Sequence, residues 1–188
     1  VCNADQVALG RPLLHAQETT TTTLKKTTIM NVAEAVPAIG LAQTFDEDEL
    51  VEMIQTAHAE SAMFAGFNKS KVRGELHDTL VNRGGVIGAI RKSNAIRGFA
   101  WLTFSQEWYT DDTILVERLV YCRPEYRSAE YARELLMWAR MTSEQLGPML
   151  IGVVANSKTS VKARLYRRFF GEPIGFLFKS GTTPTWST

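Results

Sequence analysis

The sequence predicts a mixed α/β (α+β) fold, a central β-sheet flanked by helices, on three observations. Segments whose apolar residues recur at helical spacing alternate with short apolar runs rich in β-branched and aromatic residues. Two early runs, Val86–Arg91 and Ala95–Phe104, are joined only by Lys92-Ser93-Asn94, a polar connection short enough for an antiparallel hairpin. A later run, Met149–Ala155, is apolar without alternation and follows a helix, which suits a buried strand in a parallel position.

A chain of 188 residues that is 45% hydrophobic and 22% charged has an ordinary globular balance. It accommodates one domain, read over residues 30–180, with a flexible threonine-rich leader at 1–29 and a flexible tail at 181–188. The leader carries Thr19–Thr23 and then Lys25-Lys26, a polar tract that buries too little surface to offset its ordering entropy. With 21 basic and 20 acidic residues the net charge is +1, which disfavours a protein built mainly to grip nucleic acid. Two cysteines, Cys2 and Cys122, give neither a disulfide framework nor zinc spacing and indicate a reducing compartment. No apolar run reaches membrane-spanning length.

Ala38–Ala42 is apolar enough for a first strand. Asp46-Glu47-Asp48-Glu49 suits the electropositive first turn of a helix, and Leu50, Ile54 and Ala57 recur at helical spacing, so Asp48–Ser61 is expected to be an amphipathic helix. At its end His58 and Glu60 read either as a terminal histidine with a solvated neighbour or as direct catalytic groups. An apolar loop, Met63–Phe67, leads to a second helix near Lys69–Asn82, which Gly84-Gly85 breaks. In the second hairpin strand Phe99, Trp101 and Thr103 share one face and Ala100, Leu102 and Phe104 the other, as in a central strand covered on both sides.

A loop with Trp108-Tyr109 and Asp111-Asp112 opens into Thr113–Cys122, apolar apart from Glu117 and Arg118, which are expected on opposite faces. Pro124 stops this strand. The helix Ala129–Leu146 places Leu135, Leu136, Trp138, Ala139 and Met141 on its buried side and ends at Gly147-Pro148. After Met149–Ala155 a helix near Ser160–Phe170, capped by Thr159 or Ser160, carries a basic face of Lys158, Lys162, Arg164, Arg167 and Arg168. That face is either solvated or a contact for a phosphate group. Gly171–Phe178 reads as a last strand.

A strand that runs straight into a helix leaves the first N–H groups of that helix aimed back at the strand end, where anions bind. The turn Arg123–Arg127 followed by the small Ser128 and Ala129 is such a place. There is no Walker loop, no GxGxxG, no metal-ligand spacing and no GxSxG, so phosphoryl transfer, hydride transfer, metal hydrolysis and serine hydrolysis all lack their parts.

Val120-Tyr-Cys-Arg-Pro-Glu-Tyr-Arg127, then Ile151-Gly-Val-Val-Ala-Asn156, then Ala163-Arg-Leu-Tyr166-Arg-Arg-Phe-Phe-Gly171 resembles the GNAT superfamily of acyl-CoA-dependent N-acetyltransferases. The resemblance covers roughly Gly84 to Lys179. His58-Ala-Glu-Ser61 with the aromatic loop after it looks like bacteriophage-encoded members. The family implies a mostly antiparallel sheet with one splayed parallel pair, and acetyl-CoA as cosubstrate. On that pattern the coenzyme contacts are Tyr121, Cys122, Arg123, Arg127, Ser128, Ala129, Glu130, Tyr131, Ala132 and Asn156. Glu130 stands where the family prefers a glycine, and Asn156 lies further from Tyr166 than the usual spacing.

The reaction so implied is direct transfer of an acetyl group to a primary amine. A backbone N–H near Tyr121 or Cys122 would polarise the thioester carbonyl, and the coenzyme's amides would pair with the strand edge. Glu117, the only acid in the strand, is the expected general base, with a salt bridge to an arginine as its other reading. Tyr166 is the expected general acid. The acceptor would be a small molecule or a protein amine, with no membrane and no nucleic acid expected, in a cytoplasmic setting or a virion if phage-encoded. A homodimer and a virion-associated assembly are the oligomeric options. Two other readings are a catalytically inactive structural or binding component of a phage particle, and a nucleic-acid base-modifying relative that uses Arg164–Arg168.

Overall fold

The computed structural model describes residues 38–61, 66–81, 84–153 and 159–175, all within one compact unit, Ala35–Thr188. Five strands, β1 (Ile39–Leu41), β2 (Gly85–Lys92), β3 (Ala95–Gln106), β4 (Thr113–Cys122) and β5 (Met149–Leu150), form one sheet in chain order. The first three pairings are antiparallel and β4–β5 is parallel. Helices α1 (Glu47–Ser61), α2 (Lys69–Leu80), α3 (Ala129–Leu146) and α4 (Thr159–Phe170) complete the described elements. This is the mixed sheet flanked by helices that the hydrophobic patterning predicts.

The β2–β3 hairpin turns on Ser93 and Asn94, at φ 52° and 63°, the left-handed pair a two-residue turn requires. Asp46 prepares the start of α1: it is buried, accepts the Gln43 N–H at 2.7 Å and pairs with Arg91 of β2. Helices α1 and α2 cover one face of the sheet, where Leu50, Met53 and Leu76 pack with Phe99, Trp101 and Tyr121. Within that layer the Trp101 indole N–H donates to Thr79 Oγ1 at 3.1 Å. Helix α3 covers the other face, with Leu135 against Ile90 and Ala100 and Ala139 against Leu102 and Leu115. Trp138 of α3 lies so close over Gly88 that a Cβ there would come within 2.6 Å of the indole.

β4 is interrupted. Leu102 pairs with Glu117 and Trp101 with Leu119, so Arg118 is an extra residue in a β-bulge. Glu117 therefore lies on the α3 face with Leu102, while Arg118 reaches the other face and donates from Nε to Thr103 Oγ1 at 3.0 Å. The expected opposition of the two side chains holds. The bulge also shifts the phase of the strand, so that Leu119 and Tyr121 fall on the α1 face and Val120 and Cys122 on the α3 face.

The parallel strand is shorter than expected. β5 pairs only through Leu115–Met149 and Val116–Leu150, and Ile151–Val153 leave the ladder. Pairing stops where the bulge adds local twist and carries β4 away from β5. Glu117–Cys122 is left as an edge with no strand beside it among the described residues. The expected strand from Gly171 is also not seen over Gly171–Gly175, where Gly171 at φ 82° and Pro173 keep the chain out of extended pairing. Phe176–Phe178, most of the Met63–Phe67 loop, Ala155, Lys158 and Asn82 lie outside the described residues. No described helix is long and apolar enough to cross a membrane.

Candidate active site

Glu117 is the last regular residue of β4 before the bulge, at the point where β5 ends. Tyr166 of α4 donates its hydroxyl to Glu117 Oε1 at 3.0 Å. Oε2 is buried without a hydrogen-bond partner among the described residues. Burial raises the Glu117 pKa from 4.5 to about 7, against the opposing pull of the Tyr166 hydroxyl, the Lys162 charge and the nearby Gly152 and Val120 amides. Those amides lean on the carboxylate, but neither meets hydrogen-bond geometry at Oε2. Tyr166 is pushed above its ordinary pKa, first by burial and then by the neighbouring Glu117, so its hydroxyl stays protonated. Among the described residues no arginine pairs with Glu117: Arg118 is bonded to Thr103, and the Tyr166 hydroxyl bonds the carboxylate.

The chain leaves β4 through one tight helical turn, Pro124–Tyr126, and enters α3 behind Ser128 as N-cap. Ser128 Oγ accepts the Tyr131 N–H at 3.3 Å, and Ala132 N–H bonds to Ser128 O at 3.3 Å. The Arg127 and Ser128 N–H groups are also used, by Pro124 O at 3.4 Å and Tyr126 O at 2.9 Å. The cradle is therefore narrower than the run 127–132 implied. The N–H groups of Ala129 and Glu130, at the helix start, are the ones a helix leaves unpaired. Ser128, Ala129 and Glu130 are all exposed, so the Glu130 carboxylate is not buried in the turn. Tyr131 builds the wall: it stacks on Tyr126 at 6.3 Å and its hydroxyl accepts from Arg97 at 3.2 Å, while Arg97 lies 4.3 Å over the Tyr126 ring.

Arg123 is occupied elsewhere. Its N–H donates to Arg97 O at 2.9 Å, its Nε to Ile96 O at 2.8 Å and its Nη2 to Glu49 Oε1 at 2.7 Å. The side chain ties the end of β4 to α1. Strand alternation fixes one more point. Because the Arg123 N–H faces β3, so does that of Tyr121, and only the Cys122 N–H faces the open edge. Of the two amides expected to polarise a carbonyl, Cys122 is thus the one available. Burial pushes its thiol up to about 11 despite the opposing charges of Arg127 and Lys162, which keeps it protonated and a weak nucleophile.

A polar cluster closes the α1 side of the strand end. Arg127 Nη2 meets Glu60 Oε2 at 2.5 Å, its Nε donates to Cys122 O at 3.1 Å, and the Tyr121 hydroxyl donates to Glu60 Oε1 at 3.1 Å. Glu60 is therefore engaged with the site and is not a merely solvated neighbour of His58, whose ring lies 5.4 Å from that of Phe67. Asn156 lies outside the described residues.

No protein-family model matches the chain, and neither does any of the curated proteins. Solved structures do match in fold. A probable acetyltransferase aligns with TM-score 0.58 at 20% identity over 79% of this chain and 99% of its own. A predicted acetyltransferase from Clostridium acetobutylicum, solved with acetyl-CoA, gives 0.61 at 13% identity over 76% and 94%. An aminoglycoside acetyltransferase from an uncultured soil metagenomic sample, in complex with sisomicin, gives 0.55 at 11% identity over 79% and 95%. The chain has the fold of these acetyltransferases, the one that the GNAT resemblance implies, and at such identities the likeness is one of fold.

Proposed function

We propose that the chain is an acyl-CoA-dependent N-acetyltransferase that moves an acetyl group to a primary amine by direct attack. The observation that carries this reading is the Glu117–Tyr166 pair, a buried carboxyl bonded to a tyrosine hydroxyl at 3.0 Å where the edge of β4 opens. Coenzyme A suits what surrounds it. The Ala129 and Glu130 amides and the positive end of α3 would hold its diphosphate. The unpaired edge Glu117–Cys122 would take its pantetheine amides as an added strand does, with the Cys122 N–H on the same edge for the thioester carbonyl. That related folds have been solved with acetyl-CoA and with an aminoglycoside supports the reading.

An ammonium group must lose a proton before it attacks. Glu117, titrating at about 7, is partly ionised at neutral pH and accepts that proton, directly or through water. Tyr166 donates its hydroxyl proton to the departing sulfur and is resupplied across its bond to Glu117. The first proton lost by the amine thus ends on the thiol, the second, lost from the nitrogen as the tetrahedral intermediate collapses, goes to water, and neither side chain changes its charge over the cycle.

The test is release of free thiol from acetyl-CoA in a screen of primary amines. Turnover with at least one amine, lost in Glu117→Gln, is expected. Absence of turnover together with no thermal stabilisation by acetyl-CoA would overturn the reading and favour a non-catalytic binding component.

A further inference from the structure

Arg127 is placed to serve two anions. It sits one residue before the Ser128 cap, beside the Ala129 and Glu130 amides at the start of α3, yet its guanidinium lies back across the strand end against Glu60 and 5.3 Å over the Tyr121 ring. The pair is open to a ligand, with the Arg127 and Glu60 side chains 44% and 37% exposed. An ion pair this accessible contributes little to stability, so exchanging its partner costs the fold little.

We propose that the coenzyme's diphosphate competes with Glu60 for Arg127, and that Glu60, relieved of the guanidinium, receives an ammonium group of the acceptor other than the one that is acetylated. The inference rests on the acetyltransferase reading. A diphosphate offers a guanidinium paired oxygens and more than one negative charge, at a helix start that already favours anions. When Arg127 turns to it, a positive charge leaves the Glu60 carboxylate. The Tyr121 hydroxyl still holds Oε1 at 3.1 Å, so the carboxylate keeps its place while the potential around it becomes more negative. A compact three-donor cation, a primary ammonium, matches such a position. The substrate class is therefore an acceptor that carries a second ammonium group beside the amine that is acetylated. Coenzyme and acceptor then bind with positive coupling, which must be reciprocal.

Calorimetric titration of coenzyme A into the wild-type chain, Glu60→Gln, Arg127→Gln and the double variant tests the exchange. Removing the competing carboxylate is expected to tighten coenzyme A binding by roughly threefold to tenfold. Arg127→Gln should weaken binding, and Glu60→Gln should add nothing in that background, the signature of a pairwise coupling. A merely structural Glu60 would give no tightening, or a loss that persists without Arg127. Glu60→Asp, which keeps the charge but shortens the reach, should bind like Glu60→Gln, and it serves if the latter does not fold. The acceptor half is read by repeating the titration with butylammonium chloride in place of an equal concentration of sodium chloride. Tighter coenzyme A binding is expected in the wild type and not in Glu60→Gln, and no difference in the wild type would overturn that half. Coenzyme A binding that is indifferent to Glu60 sinks this inference alone, whereas a wild-type chain that does not take coenzyme A sinks the acetyltransferase reading with it.

Discussion

Replacing Glu117 by glutamine removes one ionisation and leaves the shape of the site nearly unchanged. Burial has moved this carboxyl from 4.5 to about 7, so the folded chain favours its neutral form. That preference stabilises the protein fully below the unfolded-state value and is lost as pH rises through about 7. The interval corresponds to about 3 kcal/mol, an upper figure because the side chain is not sealed from water. Glutamine has no such loss, but it alters the Tyr166 hydrogen bond, at a cost of about 1 kcal/mol. Urea unfolding at pH 5 and pH 8 reads the balance. At pH 5 the variant should be equal to the wild type or slightly less stable, and at pH 8 it should be the more stable by about 2 kcal/mol. Its turnover should fall by roughly a hundredfold or more, since the base is gone. A stability difference independent of pH would refute the argument, because it would mean that Glu117 ionises in the folded chain as it does in water.

Tyr166→Phe removes the hydrogen bond that lowers the Glu117 pKa, so the acidic limb of the pH–rate profile should move to higher pH while turnover falls about tenfold to a hundredfold. An unmoved limb would separate Tyr166 from the base. Gly88→Ala puts a Cβ 2.6 Å from the Trp138 indole and should lower the stability measured by urea unfolding by about 1–3 kcal/mol. Thr79→Val strands the buried Trp101 indole N–H, at a cost of about 1–3 kcal/mol by the same measurement. Cys122, with its thiol held up at about 11, should resist iodoacetamide at pH 8 in the folded chain and react once unfolded, as peptide mass spectrometry would report.

The elements were legible where one face or one signal dominates. The helical spacing of Leu50, Ile54 and Ala57, the Ser93-Asn94 turn and the Gly147-Pro148 stop all appear within a residue or two of where local pattern puts them. Glu117 stands out as the lone acid in an apolar strand and Tyr166 through the resemblance, but that the two side chains meet is visible only in the structure. The bulge at Arg118 left no mark, because β4 is apolar on both faces and a slip of phase changes no visible alternation. The short reach of β5 follows from that same bulge and was equally hidden. Glu60 and Arg127 meet across a separation of 67 residues, which no local pattern encodes. The bond of Arg123 to Glu49, on a helix far back in the chain, is equally absent from any local pattern.

Thermal unfolding with increasing acetyl-CoA tests the acetyltransferase account most directly, because a ligand that binds the folded chain must stabilise it. At a hundredfold excess over the dissociation constant the gain is about 2.7 kcal/mol, which for a domain of this size raises the melting temperature by roughly 5–10 °C. The account predicts such a rise, growing with the logarithm of concentration above the dissociation constant as a single site requires. A melting temperature that does not move up to millimolar acetyl-CoA would contradict it.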